Sequence, residues 1–115
     1  MAIDKALLAG NTTMLILKLL EDRDMYGYQM IEELANRSDN TFNLKAGTLY
    51  PILHGLEKND MVSSYDDSVD TARVRKYYKI TNKGRKFLGD KRKEWDNYAN
   101  AVNQVLHGGM SYGIV

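Results

Sequence analysis

A chain of 115 residues, 43% hydrophobic and 27% charged, has the composition of one globular domain, which excludes a disordered segment and leaves no room for two cores. With no cysteine there is no disulfide framework and no thiolate metal site, and a reducing, cytoplasmic setting is expected. No apolar run approaches a membrane span, the first ten residues do not read as a signal peptide, and a net charge of +1 is silent about nucleic acid.

The first periodic segment runs from Asn11 to Glu21. Met14, Leu15, Ile16, Leu17, Leu19 and Leu20 are too many for one stripe, so this helix is expected to be buried by more than one neighbour. Asn11, Thr12 and Thr13 carry side-chain oxygens suited to capping its start. A second helix is predicted from about Tyr26 to Arg37, with Gly27, Met30, Ile31 and Leu34 at helical spacing; Ser38-Asp39-Asn40 ends it. A third runs from Lys45 to about Lys58 on the stripe Ala46, Leu49, Leu53, Leu56. Pro51 interrupts that pattern, and is tolerated in the first turn if the helix begins near Thr48. Val62–Asp66 and Arg73–Ile80 read as strands, with Asp67–Ala72 as the hairpin tip between them. On the second strand Val74, Lys76, Tyr78 and Ile80 share one face, and Arg73, Arg75, Tyr77 and Lys79 the other. Thr81 or Asn82 then caps a final helix reaching about His107, roughly 26 residues or about 39 Å long.

Charge is unevenly distributed. Residues 1–72 hold 12 acids and 6 bases, whereas Arg73–Lys93 holds 10 of the 16 basic residues and one acid, Asp90. Such a block is either a solvated helix face or the footprint of a polyanion. Enzyme chemistry has little support. There is no glycine-rich phosphate loop and no HExxH, His54 and His107 lie on different elements, and no nucleophile stands with a base and an orienting group. No cofactor and no metal are expected.

The order helix, helix, turn, helix, hairpin, helix is the layout of a winged helix-turn-helix: mainly α with a small β-hairpin, plus a long C-terminal dimerisation helix. The core stripe of the third helix leaves Lys45, Thr48, Tyr50 and His54 on other faces. Small and hydrogen-bonding residues at a helix start suit insertion into the major groove. Arg73, Arg75 and Lys79 on the outward strand face suit the flanking backbone. Two assignments stay open: Tyr50 either contacts DNA or packs on the second helix, and His54 either reads bases or is a solvated or core-edge residue.

Three motifs make a resemblance specific: Tyr26-Gly27-Tyr28 opening the second helix, Gly47-Thr48-Leu49-Tyr50-Pro51-Ile52-Leu53 with Leu56-Glu57 in the third, and Arg75-Lys76-Tyr77-Tyr78-Lys79-Ile80-Thr81 in the wing. Together they resemble the PadR family of transcriptional regulators over about residues 10–107. The resemblance implies a sequence-specific DNA-binding regulator, a repressor released by a small-molecule effector, with Thr48, Tyr50 and Pro51 on the recognition helix and Arg75 and Lys76 in the wing. A single C-terminal helix is similar to the short-form branch, so the ligand of the phenolic-acid-sensing branch does not carry over. Thr71-Ala72 stands where the family often has a glycine pair.

The expected organisation is a winged helix-turn-helix region over 1–80, a dimerisation helix over 81–107 and a flexible tail over 108–115. Leu88, Trp95 and Val102 repeat every seven residues, with Tyr98, Ala99, Val105 and Leu106 adjoining. This surplus stripe either pairs with a second copy or folds back on its own domain. Leu88, Trp95, Ala99, Val102 and Leu106 are the expected dimer contacts, and a homodimer implies a pseudo-palindromic operator on double-stranded DNA. Some short-form members bind planar drugs between paired tryptophans, and Trp95 is at the matching place. It is therefore either packing or a platform for a planar aromatic or cationic effector. The competing function is a protein–protein interaction module built on a winged helix, without direct DNA readout.

Overall fold

A computed structural model describes the backbone of residues 5–70 and 73–108, with side chains described over 11–67 and 74–108. The element order is α1 (Lys5–Asp22), β1 (Met25–Tyr26), α2 (Gly27–Arg37), α3 (Ala46–Lys58), β2 (Val62–Asp70), β3 (Arg73–Ile80) and α4 (Asn82–Leu106). It is a mainly helical winged fold whose three antiparallel strands lie in the order β1-β3-β2.

The first helix begins at Lys5, not at Asn11. Asn11, Thr12 and Thr13 are therefore interior residues, and their expected capping role is overturned. The apolar helix formers Ala6, Leu7, Leu8 and Ala9 carry the helix through Gly10, whose cost of about 1 kcal/mol does not break it. As its composition implies, α1 is wrapped by several neighbours, packing against α2, β3 and α4. Ile16, Leu17, Leu19 and Leu20 are buried there with Met30, Leu49, Leu53, Tyr78 and Leu88.

Helices α2 and α3 end in the same way. After α3, Met61 N–H donates to Leu56 O (2.9 Å) and Asp60 N–H to Glu57 O (3.0 Å), with Asp60 at φ 60°. After α2, Asn40 N–H donates to Ala35 O (2.8 Å) and Asp39 N–H to Asn36 O (3.4 Å), with Asp39 and Asn40 at positive φ. Both are Schellman-type stops. Asp and Asn are the residues other than glycine that best tolerate the left-handed conformation. Because α3 starts at Ala46, Pro51 lies in its second turn rather than its first. It cannot donate to Gly47 O, four residues earlier.

Strand β2 runs to Asp70, longer than expected, and the tip residues 71–72 lie outside the described residues. The ladder pairs Val62 with Ile80, Ser64 with Tyr78 and Tyr65 with Tyr77, while β1 pairs Met25 with Tyr78 and Tyr26 with Tyr77. Met25, Val62, Tyr78 and Ile80 face the core. Tyr26, Tyr77 and Tyr65 form one cross-strand row on the opposite face.

Thr81 caps α4, its Oγ1 accepting from Gly84 N–H at 3.0 Å. Gly84 is buried, and a methyl group there would collide with the Met61 carbonyl oxygen, so glycine is what lets α4 rest on the turn after α3. Leu88 is fully buried in the chain's own core. Its expected place in a dimer contact is thereby corrected: the first half of α4 seals the monomer, and the bare stripe begins beyond it. Trp95 is 39% exposed, Leu106 70% and Val105 82%.

Candidate nucleic-acid interface

The buried stripe Leu49, Leu53, Leu56 fixes how α3 sits. Gly47, Thr48, Pro51, His54 and Lys58 then share the opposite, exposed face, and Lys45 precedes the first turn as the N-cap residue, also exposed. A Cβ on Gly47 would meet nothing within 4 Å. This face is thus free of cover from the rest of the chain among the described residues.

Tyr50 lies at the edge of that face, half-buried and packed against the core. Its hydroxyl end occupies the space a side chain on Gly27 would fill, so the start of α2 must be glycine for this ring to fit. Packing of Tyr50 on the second helix is therefore real. It does not remove Tyr50 from the surface, because the ring also lines a cleft of about 440 Å³ with Tyr26, Gly27, Tyr28, Val74, Arg75 and Lys76. The cleft brings three of the expected DNA-contacting residues, Tyr50, Arg75 and Lys76, together with the Tyr26-Gly27-Tyr28 motif. Lys45, Thr48, Pro51 and His54 are not in its lining. The Arg73 side chain lies outside the described residues.

The wing cations differ in their partners. Lys76 Nζ is 3.9 Å from Glu57 Oε1, and Glu57 also accepts from the Ser64 hydroxyl. Arg75 makes no ion pair among the described residues, although Asp67 is opposite it in the ladder. Its guanidinium carbon lies 4.5 Å from the centroid of the Tyr26 ring. Tyr26 meets Tyr77 edge-on (5.5 Å between centroids, 74°), and Tyr77 stacks on Tyr65 (5.7 Å, 14°). The Tyr65 hydroxyl donates to Asp24 Oδ2 at 2.7 Å, and this bond to a carboxylate pushes the phenol up to about 12. Sequence reading placed Tyr77 between cations but missed Tyr65, Asp24 and Val74. The hairpin register would have paired Tyr65 with Tyr77; nothing local announces the contact between Asp24 and Tyr65, 41 residues apart.

At the far end, Trp95 and Tyr98 lie 6.2 Å apart between ring centroids, tilted by 38°, with Ala99 and Val102 half-buried beside them. No helix among the described residues is long and apolar enough to cross a membrane.

Residues 16–90 match the Transcriptional regulator PadR-like family. The chain is 32% identical over 87 residues to the transcriptional regulator Rv3488 of Mycobacterium tuberculosis, covering 76% of this chain and 78% of that protein. Among solved structures, a transcriptional regulator from Clostridium thermocellum superposes with a TM-score of 0.80 at 31% identity, covering 87% of this chain and 97% of the other. A PadR family transcription regulator from Clostridium difficile superposes with a TM-score of 0.75 at 34% identity, covering 84% and 98%.

Proposed function

The chain belongs to the PadR-like family of transcriptional regulators, and from that premise we propose that it is a dimeric repressor whose grip on a pseudo-palindromic operator is released by a small molecule. It is a DNA-binding transcription regulator and not an enzyme. In this reading residues 1–80 form the DNA-binding region, and the 81–107 helix joins the two copies through its outer half. Lys45, Thr48, Pro51 and His54 enter the major groove, with Tyr50 at the groove edge. Arg73, Arg75 and Lys76 hold the flanking phosphates. The observation that carries this is the uncovered face of α3 beside a wing whose Arg75 charge is not spent on an ion pair among the described residues.

The dimer reading rests on the second half of α4. Trp95, Ala99, Val102 and Leu106 form a narrow stripe along the helix, and the exposed Leu106 at its end is what a mate would cover. Two copies of Trp95 near the two-fold axis would flank a planar aromatic or cationic effector, with Glu94 and Asp96 nearby favouring a cation. An effector acts only if it binds the two arrangements of the α4 arms with different affinity.

The test separates backbone grip from base readout, using the DNA upstream of the protein's own coding region and an unrelated duplex. Arg75→Ala weakens both about equally and lowers the salt slope by about one. Tyr50→Phe keeps the fold and weakens operator binding by about 1 kcal/mol. If Arg75→Ala instead changes base preference at an unchanged slope, the wing assignment is wrong. If Tyr50→Phe lowers the melting temperature with binding intact, Tyr50 is a packing residue alone.

A further inference from the structure

Arg75 is placed by more than its own strand. Its guanidinium lies over the Tyr26 ring, which is held edge-on by Tyr77, which is stacked on Tyr65, which is hydrogen-bonded to Asp24. The three rings belong to β1, β3 and β2 at paired positions of the ladder, so the sheet itself sets their spacing. Asp24 stands just before β1, and its bond to Tyr65 closes the row across the width of the sheet.

Resting on the DNA-binding reading above, we infer that the cleft between the wing, the start of α2 and Tyr50 seats one backbone phosphate of bound duplex DNA on Arg75. Tyr26, Tyr77, Tyr65 and Asp24 are then positioning residues that hold the guanidinium ready for it. Three observations carry this. The lining holds Arg75 and Lys76 and no carboxylate, so even with Lys76 shared with Glu57 it stays net positive and its complement is an anion. The ring face under Arg75 attracts the cation without using its N–H donors, which stay available to phosphate oxygens. Tyr50 belongs at once to this cleft and to α3, so a duplex lying on the exposed face of α3 passes the cleft with its backbone. Of the two cations, Lys76 is shared with Glu57, which leaves Arg75 as the one to bind.

A double-mutant cycle tests the clamp, read as anisotropy of a labelled duplex of arbitrary sequence across a salt series, since a phosphate seat is blind to sequence. Tyr77→Leu weakens binding by roughly threefold to tenfold in the wild-type background, the range expected for loss of a ring-supported cation. It has no further effect once Arg75→Ala is present. Tyr77→Phe, which keeps the ring, binds as the wild type does. Melting curves establish that each variant is folded; should Tyr77→Leu fail, the more exposed Tyr65→Ala takes its place in the cycle. A folded Tyr77→Leu that binds normally, or one that weakens Arg75→Ala as much as it weakens wild type, overturns the clamp and leaves DNA binding standing. A wild-type protein that retains no duplex even at low salt overturns both.

Discussion

Gly84 and Gly89 lie five residues apart, on different faces of α4, and answer to different physics. A side chain on Gly84 collides with the Met61 carbonyl and crowds Ile80, whereas one on Gly89 meets nothing within 4 Å. Gly84→Ala should therefore destabilise the fold by about 3 kcal/mol, the upper range for overpacking against backbone, and Gly89→Ala should stabilise it by up to about 1 kcal/mol through helix propensity. Thermal unfolding of the two variants gives opposite shifts if this is right. Tyr65 offers a pH test. Its folded pKa, raised to about 12 from 10.0, means that the bond to Asp24 is fully present below about pH 10 and is lost as pH rises through 12. Asp24→Asn should bring this phenol back toward the ordinary tyrosine value, read in an absorbance titration of the phenolates. An unchanged titration would show that the carboxylate does not hold Tyr65.

Among the elements, α4 divides into two halves with different duties. Leu88 is sealed in the monomer, so Leu88→Glu should unfold it. Val102→Glu should leave the monomer's fold intact and weaken self-association at least tenfold, seen as a shift of the dimer–monomer midpoint in sedimentation. A Val102→Glu protein that associates as wild type would place the mate elsewhere. This division could not be read from the sequence, because Leu88, Trp95 and Val102 occupy one heptad row and periodicity does not say whose core a row enters. Helices α2 and α3, β3 and the cap at Thr81 were legible, since stripe, alternation and capping residue all agree there. The start of α1 was not: Gly10-Asn11-Thr12-Thr13 imitates a helix boundary. Nor was β1, a two-residue strand that exists only through its pairing with Tyr77 and Tyr78. In the candidate site, the exposed face of α3 followed from the position of Leu49, Leu53 and Leu56. The tyrosine row behind Arg75 needed the register of three strands and stayed hidden.

At the scale of the whole molecule, the chain measures 69 × 32 × 21 Å with a radius of gyration of 17.3 Å. A compact chain of this length would have roughly 13 Å. The excess reflects an elongated shape, in which the outer half of α4 carries exposed apolar side chains, Val105 and Leu106 among them. If that apolar surface pairs with a second copy as proposed, the two recognition helices are related by a two-fold axis and the operator is two-fold as well. The most direct test of a dimeric, base-reading regulator is selection of bound duplexes from a random library, followed by sequencing. A two-fold dimer enriches a pseudo-palindrome whose half-site centres lie about 10 base pairs apart or a multiple of that. Retention of duplexes with no enriched sequence, or enrichment of a single unrepeated half-site, would contradict it.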